Sequence, residues 1–380
     1  GNLRLEIEYL REFYQGDWSN FFGNVTAVQK GSEGNQFHLA NAGYGGIPNG
    51  RLALEGTLTM LGTNGKSYQI GAMSGTSTTE MGCCFIKTDG GTVTWKVGNL
   101  GTDETFYGKI TNKIQHTSRI GSTSIVKEGE GYWRLTGSNN YRGTTDIMAG
   151  TLIINGSHNK DKDYTGTYFT PGMYTVHDEA TLAGNGSTTA PVTVSSGGTI
   201  APGDFGIGTL TIRNNITMNN GSKLVVDVNR WNNTNDKLVC QGTLTTGGTL
   251  VLNLTDGEYE AGDEISILSA TTFDGGFSGI EPAVPGEGLM WDTKTLLTDG
   301  KLRITNSLGI DGMQNDADGM TLSERTLLIT PPAGGAQLRI CAADATEVAC
   351  RFVVDRVCLS LNKGLYVVTL GGKTRKIAVR

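Results

Sequence analysis

One phrase returns along this chain: small residues, then Thr, then an alternating apolar run. It reads Gly56-Thr57-Leu58-Thr59-Met60, Gly90-Gly91-Thr92-Val93-Thr94-Trp95 and Gly150-Thr151-Leu152-Ile153-Ile154. It comes again as Gly197-Gly198-Thr199-Ile200, Gly208-Thr209-Leu210-Thr211-Ile212 and Gly247-Gly248-Thr249-Leu250-Val251-Leu252. A short strand-and-turn unit cannot bury its apolar face alone, so repeated copies must stack. From about residue 17 to 306 the text is short strands broken by Gly, Asn, Ser and Asp, which points to an all-β fold. Helical periodicity is nearly absent. Leu3, Ile7, Leu10 and Tyr14 fit a helix, but Leu3, Leu5, Ile7 and Tyr9 alternate, and the strand reading is favoured.

Two architectures compete, a sandwich of hairpins and a parallel β-helix. The recurrent phrase selects the solenoid. Leu182 to Ile200, and the series Leu210, Leu224 and Leu244, read as steps near one coil of a three-faced solenoid, roughly 18 to 25 residues with loose spacing. The polar run Asn155 to Tyr164 and the run Phe273 to Phe277, reaching Pro282 and Pro285, read as insertions leaving the coil. Near residue 306 the text changes. Ile310 to Gly319 is a polar linker, and Thr326–Thr330, Gln337–Ile340, Arg351–Val354, Gly364–Leu370 and Lys373–Arg380 read as hairpin strands. The expected organisation is a parallel β-helix over residues 1–306 and a small antiparallel β-sandwich over residues 307–380. The sandwich is expected to cover the solenoid's open end, where unpaired strand edges invite aggregation.

Composition narrows the function classes. The 380 residues include 56 Gly and 8 Pro, about twice the usual Gly share of roughly 7%. No Gly-X-Y period occurs, so the chain is not collagen-like. A net charge of -6 with no basic stripe argues against nucleic acid. No apolar stretch approaches the roughly 20 residues of a spanning helix. Gly1-Asn2 leads directly into an alternating strand with no leader, so a fragment of a longer protein is expected. Cys83, Cys84, Cys240, Cys341, Cys350 and Cys358 contain no Cys-x-x-Cys pair, so they read as small buried apolar residues rather than a zinc site. Cys341 and Cys350 are read as flanking a turn, and no disulfide is assigned.

The chemistry-bearing residues form no recognisable constellation. A serine protease needs Ser, His and an orienting carboxylate. The histidines are His38, His116, His158 and His177, and no Gly-x-Ser-x-Gly occurs. Ser74 and Ser278 read as ordinary turn residues, and His158 and His177 as exposed loop histidines. A calcium-dependent lyase would need converging oxygen ligands. Asp146, Asp161 and Asp163, with Lys160 or Lys162 as base, alternate in sign as solvated loops do. A glycosidase pair could come from Asp103, Glu104, Asp204, Asp227 or Asp236, but no pattern couples two of them. Asp204 reads as an Asx-type turn after Pro202-Gly203. Asp311, Asp316, Asp318 and Gly319 make an incomplete calcium ladder, better read as a hinge. Trp18, Trp95, Trp133, Trp231, Trp291, Tyr44, Tyr68, Tyr107, Tyr141 and Tyr164 are expected mainly inside the solenoid or capping it. Asn139-Asn140, Asn214-Asn215, Asn219-Asn220 and Asn232-Asn233 are expected to stack as amide ladders at turns. No catalytic, cofactor-binding or metal-ligating residue is assigned.

Two stretches carry a family resemblance. Gly131-Tyr132-Trp133-Arg134-Leu135-Thr136-Gly137-Ser138-Asn139-Asn140-Tyr141-Arg142-Gly143-Thr144-Thr145, continuing to Gly150-Thr151-Leu152, resembles the autotransporter-associated β-strand repeat. Leu182 to Gly186, Gly198 to Gly203 and Ile207 to Ile212 continue its usual sequel. The resemblance covers about residues 130 to 255 and implies a right-handed parallel β-helix on an exported protein. Asn362 to Ile377 resembles the C-terminal secretion tail of Bacteroidetes extracellular proteins. Phe13-Tyr14-Gln15-Gly16-Asp17-Trp18-Ser19-Asn20-Phe21-Phe22-Gly23 is similar to a phrase in secreted Bacteroidetes proteins that join a pectate-lyase-like domain to such a solenoid. Related stalks occur in autotransporter passengers, including those of the immunoglobulin A1 protease type. The expectation is a non-catalytic stalk, secreted or on the cell surface, presenting an upstream domain of the same chain. The alternatives are a carbohydrate-binding or adhesin module, with a polysaccharide or host surface protein as partner, and part of a polysaccharide lyase or peptidase.

Overall fold

Strands rich in Thr, Val, Ile and Leu that alternate inward and outward can stack in parallel only if every coil presents the same inward positions. The computed structural model shows that arrangement. It describes residues 1–8, 12–14, 16–31, 35–39, 45–63, 65–84, 91–112, 121–158, 170–255, 257–306, 319–323 and 325–379. Of the described residues 60% are strand and 1% helix, an all-β parallel solenoid followed by small antiparallel sheets. It divides into two compact units, Gly1–Thr305 and Asn306–Arg380.

Each full coil visits three faces in turn. The first face stacks Thr92–Val97, Ser122–Lys127, Thr145–Ile147, Tyr174–Val176, Val192–Val194 and Ile216–Met218 in parallel. The second stacks Glu104–Phe106, Tyr132–Leu135, Gly150–Ile154, Ala180–Gly184, Thr199–Pro202, Lys223–Asn229, Thr249–Leu254 and Gly279–Glu281. The third runs through Ser157–His158, Ser187–Thr188, Thr209–Ile212 and the first half of Lys237–Thr246. Asn2–Ile7, Asn24–Gln29 and Gly46–Glu55 begin the pile.

Register turns these strands into ladders. On the second face Trp133, Leu152, Leu182, Ile200, Leu224, Leu250 and Ile280 lie one above another. From Trp133 to Leu250 they are essentially unexposed, and each such side chain contributes about 1.5–3 kcal/mol by leaving water. Leu182 and Ile200 are register partners, as their spacing suggested. Leu210, Leu224 and Leu244 are not successive rungs: they stack on Leu238, on Leu250 and under Ile216, on three different faces. An aliphatic residue recurs about three times per coil, so spacing between neighbouring aliphatics cannot tell one face from the next.

The expected insertions are corrected in part. Leu268–Gly275 stacks on Lys237–Thr246, and Gly279–Glu281 on Thr249–Leu254, so the run from Phe273 belongs to the coil. Ser157 and His158 also lie in the stack; residues 159–164 are outside the described residues, as is the linker with Asp311, Asp316 and Asp318. A small antiparallel sheet, with Glu264–Ser266 and Lys301–Asn306 paired, follows the last coils. Ile265, Ile267, Trp291, Leu296, Leu302 and Ile304 join the same apolar core that starts at Ile7. The coil end is therefore met by residues of the solenoid's own unit. The second unit has a separate core, including Leu327, Ile329, Leu338, Ile340, Tyr366, Val368 and Ile377. It is built from the antiparallel sheets Met320–Ser323, Thr326–Ile329, Val357–Ser360 and Glu347–Val353, Ala336–Ala342, Gly364–Leu370, Lys373–Val379.

Candidate functional site

The repeat motif does its work inside the coil. Asn139 is fully buried, and its Oδ1 accepts the Ile110 N–H at 2.7 Å. Its Nδ2 lies 2.9 Å from His158 Nε2, and His158 Nδ1 lies 3.1 Å from the Tyr174 hydroxyl. Tyr174 meets the Tyr141 hydroxyl at 2.8 Å, and Tyr141 meets Thr145 Oγ1 at 2.7 Å. Because the Asn139 amide donates, Nε2 accepts and Nδ1 carries the proton; the tautomer is assigned from these partners. Burial pushes the His158 pKa down to about 3. His158 is thus a neutral core residue, and its expected exposed-loop role is wrong. Ser157-His158 reads as a polar loop in sequence because its partners lie in other coils. Tyr141 is structural, as expected.

The other sequence candidates do not converge. His38 is buried beside Gln36 Oε1, and His116 lies outside the described residues. His177 Nε2 is 3.3 Å from Asp146 Oδ1, a base–carboxylate pair at the corner between the first and second faces. Ser278 sits several coils away, where its Oγ donates to the Gly248 carbonyl. Ser74 lies in a strand paired with Gly46–Glu55. Asp161, Asp163, Lys160 and Lys162 are outside the described residues. Glu104 is nearly buried against Arg51, and burial raises its pKa despite that cation. Asp236 accepts the Gly208 and Asp227 N–H groups at 2.7 and 2.9 Å; burial raises its pKa to about 6. Asp227 and Asp236 are therefore neighbours joined through the Asp227 amide. Among the described residues no group of three or more His, Cys, Asp or Glu is placed to hold a metal.

Two residues that the sequence reading missed stand out. Lys127 is buried, and its Nζ donates to the carbonyls of Glu128, Gly129 and Ala149, closing a turn. Burial lowers its pKa to about 8. Arg134, on the outer side of the second face, grips Asp204 with two 2.7 Å bonds, Nε to Oδ2 and Nη2 to Oδ1. Asn155 Nδ2 adds a third at 2.7 Å. Arg134 and Asn155 hold the Asp204 carboxyl below its usual range. Asp204 is therefore a cross-coil clamp, not a local Asx turn. The partners are 70 residues apart, and nothing local in sequence marks the pair. The clamp folds the loop 203–208 along the outer face, and Ile153, which points outward there, is only 1% exposed. The Arg134 guanidinium lies 4.6 Å from the Tyr132 ring centre and 5.6 Å from that of Phe205.

The aromatic and amide expectations divide. Trp95, Trp133, Tyr68 and Tyr141 are inside, and Trp291 is nearly so. Trp231 is 89% and Tyr107 55% exposed, and Phe205 is 77% exposed. Tyr44 and Tyr164 are outside the described residues. The amides mostly bond across coils to backbone, not to one another: Asn112 Oδ1 accepts from Thr123 and Arg142, Asn155 Oδ1 from Asn185, and Asn215 Oδ1 from Thr243. A backbone N–H at a corner has no ladder partner, so it recruits the amide first. Cys240 is a buried free thiol; Cys341, Cys350 and Cys358 are free and partly or fully exposed, against the buried reading.

Residues 125–154 match the passenger-associated-transport-repeat family. That is the stretch holding Tyr132, Arg134, Asn139, Tyr141 and Thr145. The chain is 36% identical over 126 residues to the adhesin BmaC autotransporter of Brucella suis biovar 1 (strain 1330), covering 31% of this chain and 3% of that protein. It is 28% identical over 175 residues to an extracellular serine protease of Serratia marcescens, covering 43% of this chain and 15% of that protein. The chain thus spans a small part of either relative. The repeat, these relatives and the parallel solenoid support an autotransporter β-helix passenger, secreted or at the cell surface. No helix among the described residues is long and apolar enough to cross a membrane.

Proposed function

We propose that this segment is a non-catalytic stalk of a secreted passenger, a rod that holds other parts of its parent protein away from the surface. One observation carries the reading. The polar residues of the repeat, Asn139, Tyr141 and Thr145, and His158 just after it, are consumed in bonds within the stack. Glycines serve the same stacking. A Cβ on Gly137, Gly156 or Gly186 would strike the carbonyl of Gly108, Gly137 or Gly156 in the coil before, so the corner tolerates no side chain. A pile of this kind grows by adding identical interfaces, which suits a spacer.

A peptidase or polysaccharide-degrading parent is a further proposal, suggested by the name of the Serratia relative for peptidase and by the residue phrase at Phe13–Gly23 for a pectate-lyase-linked stalk. The Bacteroidetes-type origin rests on Asn362–Ile377 and on Phe13–Gly23; the relatives found add nothing to either phrase. The test is direct. The purified chain, incubated with casein, immunoglobulin A and polygalacturonate, is expected to release no product. Turnover lost in His177→Ala or Asp146→Asn would overturn the stalk reading. An adhesive role is favoured by the exposure of Trp231 and Phe205.

A further inference from the structure

The two most exposed aromatic residues of the solenoid, Phe205 and Trp231, lie on adjacent loops, whereas Phe22 and Tyr107 are exposed elsewhere. Phe205 and Trp231 sit on the loops between the second and third faces of neighbouring coils, because Thr209 stacks on Lys237 and Thr199 on Lys223. Both loops are braced. Asp204 ties the first to Arg134 and Asn155, and Asp236 accepts the Gly208 N–H at its far end. Arg230, next to Trp231, bonds the Glu258 carbonyl and Asp263. Phe205 takes φ 55°, a left-handed conformation that a residue with a Cβ adopts only when its surroundings impose it. The Phe205 ring meets Tyr132 edge-on at 5.3 Å and lies 5.6 Å from the Arg134 guanidinium, yet 77% of the residue stays exposed, so the fold holds most of a large apolar ring in solvent on a fastened backbone.

We propose that this corner is a binding site for a neutral polysaccharide chain. The rings supply flat apolar faces for the C–H side of a sugar. The groups around them suit hydroxyls rather than charges. Arg134 is neutralised by Asp204, and Arg230 by Asp263. What remains on the Trp231 loop is amide and hydroxyl: Asn232, Asn233 and Thr234 are all exposed. Beside them a cavity of about 20 Å³, lined by Asn229, Arg230, Asn233, Tyr259, Asp263 and Glu264 among others, has room for a single hydroxyl-sized group, and the Glu264 carboxylate is paired with Lys301 and Arg303. A protein partner would call for a contiguous apolar centre with a polar rim; here polar residues separate the rings. Coils about 4.8 Å apart also offer a periodic surface on the order of one sugar ring per step.

The proposal goes beyond the stalk reading, and a rod that bound no glycan would still be a stalk. Affinity electrophoresis of the whole chain tests it, in native gels containing hydroxyethyl cellulose, galactomannan or polygalacturonate. Retardation is expected with at least one of the two neutral polymers and not with polygalacturonate. Trp231→Ala and Phe205→Ala should each weaken it roughly tenfold, as loss of a stacking ring does, while both variants melt at the wild-type temperature. The proposal is overturned by no retardation by either neutral polymer, by retardation that survives the double substitution, or by preference for polygalacturonate. Binding to a gelatin-coated surface that Trp231→Ala abolishes, without polymer binding, would assign the corner to a protein partner and equally overturn it.

Discussion

The two units of this chain solve the problem of burying β-strands in opposite ways. In the solenoid a strand's hydrogen-bond partners belong to the coils before and after it, and its inward residues meet the other two faces of its own coil. In the second unit most neighbours are antiparallel and close in sequence, as in Gly364–Leu370 against Lys373–Val379. The solenoid can place Asn139, His158 and Thr145 at inward positions because the next coil supplies a partner for each. The second unit keeps an apolar core and leaves apolar residues outside as well, with Phe352, Val354 and Leu365 each near 60% exposed. The solenoid too leaves apolar rings outside, Phe205 and Trp231 among them, so the contrast lies in the interior: stacking lets polar residues in, and the buried residues of the second unit's core are apolar.

Six substitutions and a pH series can break or sharpen that contrast. The largest effect is expected from Trp133→Ala, which empties a fully buried rung and removes the bond from Nε1 to the Met73 carbonyl. It should cost the solenoid about 3–5 kcal/mol. Ile340→Ala should cost the second unit about 2–5 kcal/mol. Scanning calorimetry should show two transitions, each moved by one substitution only; a common shift would mean that the units unfold as one. Asn139→Ala comes next. It strands the Ile110 N–H and one side of His158 in the core, for a loss of about 1–3 kcal/mol in urea unfolding. A loss under a few tenths would show that the polar ladder is idle.

Acid should act on the solenoid through two buried groups of opposite sign. His158 titrates at about 3 when folded and near 6.5 when unfolded. The unfolded chain takes up that proton first, so His158 removes stability as pH falls below about 6.5, by up to about 1.4 kcal/mol per unit. Asp236 titrates at about 6 when folded and near 3.9 when unfolded. Here the folded chain takes the proton first, so stability is gained as pH falls from about 6 to 4. Unfolding midpoints between pH 7 and 4 should therefore fall more steeply in Asp236→Asn than in wild type, and less steeply in His158→Asn. The smallest effect is expected from Asp204→Ala. Its pair with Arg134 is partly solvated, so about 0.5–1 kcal/mol is at stake. Hydrogen exchange should nonetheless rise across residues 203–208, and an unchanged rate would show that the clamp does not hold the loop.

Much of this was legible in advance. The Gly-Thr-Leu phrase identified a parallel solenoid because its alternation survives any loop length between strands, and Tyr141 was placed inside from its motif. What escaped shares one cause. The phrase marks a strand but not its face, so Leu210, Leu224 and Leu244 looked like one ladder when they belong to three. Ser157-His158 looked like surface because a polar residue in a solenoid can be satisfied one coil away. Asp204 looked like a turn because Arg134 lies 70 residues upstream.

The sequence by itself determined the periodic part of this protein: the strand type, the stacked core and the change of architecture near residue 306. Those features depend on local alternation and on residues that only a turn or a close backbone contact accepts. The tertiary structure alone decided which outward residues meet. Arg134 with Asp204, Phe205 over the outer face, and Trp231 one coil away are set by how many residues each loop spends before rejoining the pile. That length carries no energetic signature in the chain, because the core stacks equally well whatever the loops do.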